Sequence, residues 1–336
     1  MKTEIIKNFG RTRIFQIALV SALVVFLASC SKDDVNPFDE DAVIEGNIVD
    51  VLASYGEIED FGELGEEKGK YSSVKPTFGT LNAALARTGL AGIVSRNQMT
   101  VFAPTDAAFA ELGLSPRNIT SVPNLREILL YHVLNGMVYS NQLSEAFFGT
   151  VNGSYIEISF ADGLKVNDSE ILSADIKARN GVIHVIDKVL FPPTQNLVEL
   201  ALSFDPEFSI LVQAVIKAGL TDILATGGPF TVFAPTNDAF VALLDDLGAT
   251  SLDDISVDLL TSVLLYHVVG GYVFSSDLSS GTVTTLNGNF EISVETLSIT
   301  DSNGRESNLV PSLLDVQASN GVVHVIDRVI LPVLSK

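Results

Sequence analysis

The chain has 336 residues, of which 47% are hydrophobic and 18% charged, and its formal net charge is −21. This length and composition suit a globular protein of two domains, each with a core of its own. The acidic balance argues against a nucleic-acid-binding protein, because neutralising phosphates requires clustered Lys and Arg side chains. Nucleic acid is therefore not an expected partner.

The N-terminus has the layout of a secretory signal. Basic residues between Lys2 and Arg13 precede an apolar run at 14–27. This run is too short to span a bilayer comfortably. The pattern therefore predicts a lipoprotein signal peptide at 1–29, which takes no part in the fold.

Cys30 is the sole cysteine of the sequence, so an intramolecular disulfide is excluded. The segment Leu27-Ala28-Ser29-Cys30 resembles a bacterial lipobox, in which the cysteine is lipidated and becomes the first residue of the mature chain. The alternative is an ordinary signal peptide with an incidental cysteine. Several acyl chains on Cys30 would anchor the protein stably, since each buried CH₂ group adds ~0.8 kcal/mol.

Residues 30–44 are expected to form an acidic tether. Its start, Ser31-Lys32-Asp33-Asp34, resembles the export signal with which Bacteroidota-type lipoproteins reach the outer face of the outer membrane. We therefore expect a lipid-anchored protein that faces the cell exterior. A periplasm-facing anchor is the alternative, because acidic residues after a cleavage site also suit a simple tether.

The rest of the chain is an internal repeat. Four motifs occur twice in the same order: "NIVDVLAS" and "NLVELALS", "TVFAPTDAAF" and "TVFAPTNDAF", "LLYHV" in both halves, and "NGVIHVIDKVLFP" and "NGVVHVIDRVILP". The period is that of a whole domain rather than a solenoid unit. We therefore predict a first copy at 45–193 and a second copy at 194–336. An extra polar stretch at 56–75 of the first copy is expected to form a loop.

The repeated "TVFAPT" motif encodes a strand, a sharp stop and a capped helix. Pro104 and Pro235 hold the preceding residue extended, and Thr105 and Thr236 stand at the helix-cap position. The aspartate after Thr105 is replaced by Asn237 in the second copy. A required catalytic carboxylate would not change to an amide between copies, so these residues are interpreted as structural.

All four histidines lie in the repeats. His132 and His267 fall on the apolar stripe of helices expected at about 123–135 and its counterpart, so each is predicted to make a buried hydrogen bond. His184 and His324 lie in runs that are apolar on both faces, which is typical of central strands. The Asn-Gly pairs that precede these runs predict hairpins. Further helices are expected at about 79–88 and 105–112.

The sequence offers no catalytic or metal site. It has no His-x-x-x-His or cysteine pair, no Gly-x-Ser-x-Gly elbow and no Gly-rich phosphate loop. The segment "DSNGRES" at 301–307 carries its glycine at the fourth place, whereas a calcium loop needs it at the sixth, so we interpret the segment as a turn. We predict no enzyme activity, no metal and no cofactor.

Taken together, the repeated "TVFAPT" motif, the Tyr-His pairs and the closing "NGV-HVID" motif resemble the fasciclin-type domain. The resemblance covers about 45–336 and implies an α+β fold, with a β-sandwich or wedge and packed α-helices in each copy. It also implies a non-catalytic extracellular adhesion module. In animal members the Tyr-His region is linked to receptor-dependent adhesion. Tyr131 and Tyr266 are therefore candidate interaction residues, with a side chain expected to be partly exposed.

Three functions compete at this point. The first is a surface-anchored module that binds extracellular protein, matrix or glycan. The second is a glycan-binding accessory of an outer-membrane nutrient-uptake system, against which the absence of tryptophan counts. The third is a hydrolase that uses a Tyr-His pair.

Overall fold

The computed structural model describes residues 46–55 and 76–333. Some predicted features lie outside these residues: the leader at 1–29, the lipidation site Cys30, the tether at 30–44 and the extra stretch at 56–75. Within the described part, residues from both copies belong to one compact unit, Val43–Lys336.

The first copy alternates short helices and strands. Its elements are α1 (Ile48–Ser54), α2 (Gly79–Arg87), α3 (Ala91–Val94), β1 (Met99–Pro104), α4 (Asp106–Glu111), α5 (Leu125–Tyr131), β2 (Val133–Asn135), β3 (Ala146–Gly149), β4 (Tyr155–Ser159), β5 (Lys165–Val166), β6 (Ser169–Ala178) and β7 (Gly181–Ile186), with 3-10 turns at Ile119–Ser121 and Ser140–Gln142.

The second copy repeats this order. Its elements are α6 (Leu197–Ser203), α7 (Ser209–Lys217), α8 (Thr221–Thr226), β8 (Phe230–Pro235), α9 (Asn237–Leu247), α10 (Val257–Tyr266), β9 (Val268–Gly270), β10 (Gly281–Thr285), β11 (Gly288–Ser293), β12 (Ser298–Thr300), β13 (Glu306–Asn308), β14 (Val316–Ala318) and β15 (Gly321–Ile326), with 3-10 turns at Leu252–Asp254, Ser275–Asp277 and Pro311–Leu313. The predicted α+β class is confirmed.

The sheets form a wedge because one long strand bends. In the first copy the described strands follow the order β2-β1-β7-β6-β5-β4-β3, and the register of β6 against β7 shifts twice between Ile171 and Ile176. Such bulges bend a strand and increase its twist. In the second copy the corresponding strand is interrupted by the turn Pro311–Leu313, which leaves β10-β11-β12-β13 and β14-β15-β8-β9 as separate sheets.

Strands β1 and β7 run parallel at the centre of the first sheet, and every residue of both is buried. Side chains on one face, such as Val101 and Val185, pack under the helices. Side chains on the other face, such as Phe102 and Ile186, pack against β4 and β5. The first copy therefore has two apolar clusters, one on either side of its central strands. The second copy has two matching clusters and a smaller third one around Leu197 and Leu200.

The helix expected at 123–135 is shorter than predicted. Helix α5 ends at Tyr131, His132 closes it, and residues 133–135 are strand β2. Val133 and Leu134 pair with β1, where β-branched and apolar side chains fill the sheet core. The prediction followed the apolar stripe, which continues through the change from helix to strand.

The threonines of the repeated motif do cap helices. The Thr105 hydroxyl accepts a hydrogen bond from the Ala108 N–H at 3.2 Å, and Thr236 accepts one from Ala239 at the same distance. This is the standard N-cap arrangement, in which a side-chain oxygen satisfies a free amide of the first turn.

The residue after the cap links two helices, which explains its change from aspartate to asparagine. Asp106 accepts hydrogen bonds from the Gly79 and Thr80 amides at the start of α2. Burial acts to raise the pKa of Asp106, but these amides and the Thr77 hydroxyl hold it below its usual value. Asn237 offers an amide oxygen to Ile210 at the start of α7. Both side chains supply the acceptor that the helix start needs, so a negative charge is not required.

The Asn-Gly pairs do lie at hairpins, but the asparagine also clamps distant backbone groups. The Asn180 oxygen accepts from the Ile48 amide, and its nitrogen donates to the carbonyls of Val94 and Asn97. Asn320 makes the same three bonds to Leu197, Leu224 and Gly227. One side chain therefore joins the first helix, the third helix and the central strand of each copy.

Candidate functional site

His132 and His267 are buried hydrogen-bond bridges. The Nδ1 atom of His132 lies 2.7 Å from the Ile128 carbonyl, to which it donates, and its Nε2 atom accepts from the Leu190 amide at 2.9 Å. His267 joins Val263 and Ile330 in the same way. Burial lowers the pKa of both histidines to about 4. The neutral rings engage both nitrogens with backbone groups, which leaves no ring nitrogen for a metal or a reacting proton.

Tyr131 and Tyr266 are not surface residues. Their exposed fractions are 2% and 0%, so the expectation of partial exposure is wrong. The Tyr131 hydroxyl donates to the Tyr155 carbonyl at 2.7 Å and accepts from Asn167. The Tyr266 hydroxyl donates to the Asn289 carbonyl. Each tyrosine lies off the apolar stripe of its helix, and its ring packs in the apolar cluster on the opposite side of the sheet.

A Ser-Asp-His cluster, which sequence reasoning missed, occurs in both copies. Asp175 accepts from the backbone amide and the hydroxyl of Ser140, and its own amide donates to Nδ1 of His184 at 3.3 Å. Asp315, Ser275 and His324 repeat the arrangement. Both aspartates have positive φ angles, 62° and 57°, at the bend of the wedge. Non-glycine residues adopt this conformation only when surrounding contacts hold them there.

This cluster is not a catalytic triad. The serine hydroxyl points to the aspartate rather than to the histidine. The histidine Nε2 donates to a backbone carbonyl, that of Val138 or Val273, at 3.0 or 2.8 Å. Burial lowers the pKa of both histidines below the ordinary value. Nucleophilic catalysis needs a hydrogen bond between nucleophile and base, and here both groups are fixed by other partners.

Aromatic side chains of the two copies meet at their junction. Phe147 of β3 stacks on Phe274 of the second copy, with ring centroids 4.0 Å apart and planes 10° apart. Tyr155 of β4 lies 4.9 Å from both Phe274 and Tyr272. We call these four residues the aromatic junction. Rings at such distances contribute more than their buried area alone.

Three of the four aromatic residues of the junction have no aromatic counterpart in the other copy. The positions of β10 and β11 that correspond to Phe147 and Tyr155 carry Thr282 and Asn289, as the pairing registers of the two hairpins show. The positions of the first copy that correspond to Tyr272 and Phe274 carry Met137 and Tyr139. The first copy thus contributes its strands β3 and β4 to the junction, and the second copy contributes the segment that follows β9.

We expect the two phenylalanines of the junction to be energetically coupled. A double-mutant cycle with Phe147→Ala and Phe274→Ala should give a coupling energy of about 0.5–1.5 kcal/mol, because each variant removes the same stacked pair. Urea unfolding of the wild type, the two single variants and the double variant measures it.

A matched cycle with Thr282→Ala and Phe274→Ala is the control. Thr282 occupies the position of Phe147 in the second copy, so its coupling to Phe274 should be near zero. Additive effects of Phe147→Ala and Phe274→Ala would contradict the stacked junction.

Within 46–55 and 76–333, no group of three or more His, Cys, Asp or Glu side chains is arranged to hold a metal ion. None of the helices in the same residues is long and apolar enough to cross a bilayer.

Comparison with known proteins gives matches over most of the chain. The fasciclin domain model matches residues 76–192 and 206–332. The chain is 40% identical over 148 residues to Protein sll1483 of Synechocystis sp., which covers 44% of this chain and 79% of that protein. It is 31% identical over 255 residues to transforming growth factor-beta-induced protein ig-h3 of Sus scrofa, which covers 74% of this chain. The match spans only 35% of that relative's length.

Among solved structures, a FAS1 domain pair from the insect cell adhesion molecule Fasciclin I covers 76% of this chain at 21% identity, with a TM-score of 0.36.

Proposed function

The chain belongs to the fasciclin family, with two fasciclin domains, and on that premise we propose that it is a non-catalytic adhesion module held on the cell surface by a lipid on Cys30. Fasciclin domains occur in cell adhesion proteins. The match of both copies to the family model is the observation that carries the proposal. Its ligand class is extracellular protein, matrix or glycan, and no cofactor is needed.

The repeated histidines and serines of the two copies are held in structural hydrogen bonds and do not support a catalytic role. All four histidines engage backbone atoms, and the repeated serines engage aspartates. These bonds hold the scaffold together instead of activating a substrate. Among the described residues, the Tyr-His pairs therefore offer the hydrolase alternative no reactive arrangement.

The glycan-uptake alternative receives no support from the aromatic junction. Sugar rings usually stack on exposed aromatic faces, whereas the junction rings stack on one another. We therefore keep adhesion as the proposed function and leave the ligand class open to direct screening.

The proposed location on the cell surface is tested by protease treatment of intact cells. We expect the wild-type protein to be cleaved, because the lipid on Cys30 and the acidic tether would display it outside. Cys30→Ala should release the protein to the medium or retain it unprocessed. Neutralising Asp33 and Asp34 should leave it anchored but protected inside.

Two outcomes would overturn the proposal. Wild-type protein that is cleaved only after rupture of the outer membrane would place it in the periplasm and exclude adhesion to other cells. If the protein is displayed, normal adhesion, aggregation and biofilm formation by cells that lack it would dismiss the adhesion role.

A further inference from the structure

The second copy contains an apolar cavity between its helical layer and its sheet. Its volume is about 70 Å³, and its walls come from α6, α7 and α8 on one side and from β8, β14 and β15 on the other. Among the described residues that line it, Thr221 and His267 are the polar ones. Both ring nitrogens of His267 are bonded to backbone atoms, so the wall offers almost no polar contact.

Some of the residues that line this cavity are smaller than their counterparts in the first copy. The matching motifs that begin at Asn47 and Asn196 align Leu52 with Ala201. Leu52 is fully buried in the first core, whereas Ala201 lines the cavity. Ile183 of the first copy likewise corresponds to Val323, which also lines it. Losing methyl groups at a core position leaves a cavity when the surroundings do not collapse.

The cavity opens to solvent. Val232 and Val323 of its floor are half-buried, whereas their counterparts Val101 and Ile183 are buried. Ile216, which lines the cavity from α7, is 62% exposed. On the next helix, Ile223 is 52% exposed. The cavity is thus bordered on α7 by an exposed apolar side chain, which extends its apolar surface towards solvent.

The lack of polar groups in the cavity wall determines which kind of ligand can enter. A peptide that entered would bury backbone N–H and C=O groups without partners, which is costly. An aliphatic chain brings no such groups. The volume is about half that of an engineered 150 Å³ cavity that binds benzene, so it has room for a few methylene groups, and the rest of a longer chain would lie along the exposed apolar side chains at its edge.

Charges beside the cavity disfavour an anionic head group. Glu199 and Asp222 lie on α6 and α8, next to residues that line it. Lys217, at the end of α7, is held by the Leu252 carbonyl and pairs with Asp253. We propose that this cavity binds the aliphatic chain of an uncharged or zwitterionic amphiphile. The proposal stands independently of the adhesion role.

The test uses 1-decanol as the probe and sodium decanoate as its charged counterpart. Equilibrium dialysis with the purified full chain should show saturable binding of one decanol per chain and weaker binding of decanoate. Decanol should also raise the thermal unfolding midpoint, because a ligand that binds only the folded state stabilises it. Ala201→Leu should weaken decanol binding on the order of tenfold or more, since its side chain fills the space that the methylene groups would occupy.

Two further variants keep the test decisive. Ala53→Leu makes the same chemical change on the exposed face of α1 and should bind decanol like the wild type. Val323→Ile copies the first copy and should weaken binding even if Ala201→Leu fails to fold. Uptake of decanol that does not saturate, or equal binding by wild type and the filled variants, would overturn the proposal. Decanoate binding as tight as that of decanol would overturn the assignment of the head group.

Discussion

Replacing Gly181 or Gly321 by alanine is expected to lower the free energy of unfolding by about 3 kcal/mol or more. These glycines begin the central strands β7 and β15. A Cβ atom at Gly181 would lie 2.0 Å from the Met99 carbonyl oxygen, and one at Gly321 would lie 2.3 Å from that of Phe230. Both obstacles are backbone atoms of a paired strand, so relief requires the parallel strands to move apart. Urea unfolding of each variant measures the loss.

Gly270→Ala is the matched control. Gly270 also lies in a strand, but a Cβ atom there has no neighbour within 4 Å, and its φ angle is not left-handed. We expect a change within about 0.5 kcal/mol, as for ordinary surface substitutions. If Gly181→Ala and Gly270→Ala had equal effects, the close approach of β1 and β7 would be refuted.

Acidification is expected to destabilise both copies between pH 6.5 and 4. The folded-state pKa of His132 and His267 is lowered from 6.5 to about 4 by burial. In this window the unfolded chain binds these protons and the folded chain does not, so stability falls as pH falls. Each of the two histidines should contribute about 1.4 kcal/mol per pH unit well below pH 6.5, which amounts to about 3 kcal/mol for each histidine at pH 4. His184 and His324 act in the same direction.

The pH dependence is measured by urea unfolding at several pH values in about 0.5 M salt. Salt at this level screens the repulsion among the many carboxylates, which would otherwise ease on acidification and oppose the trend. In His132→Gln the slope should decrease by the contribution of one proton. A stability that is flat from pH 7 to 5 would show that the buried histidines take up protons in the folded state.

Local patterns in the sequence predicted much of the scaffold, because they are determined by neighbouring residues. The threonine before each helix and the Asn-Gly pair before each central strand need only a few adjacent positions to be recognised. The duplication itself also follows from matching motifs. The end of α5 escaped prediction because the apolar stripe passes from helix to strand without a break, and only pairing with β1 stops the helix.

The features that matter for a site depend on residues far apart in the chain. Asn180 bonds to residues more than 80 positions away, and Asp175 bonds to Ser140 across the bend of the wedge. The burial of Tyr131 depends on β4 and β5, which come later in the chain. The alignment of Leu52 with Ala201 was visible in the sequence, but its meaning as a cavity required the packed layers.

The uneven distribution of aromatic residues at the junction fixes the order of the two domains. In a chain with the copies exchanged, Met137 and Tyr139 would face Thr282 and Asn289 instead of Phe147 and Tyr155. The same mismatch would arise if the free face of the second domain in one molecule approached the free face of the first domain in another. Since neither free end reproduces the stacked faces, the contact cannot be extended from molecule to molecule. The duplication therefore gives one internal contact between two unlike faces, and the free faces do not provide the same contact for open-ended assembly.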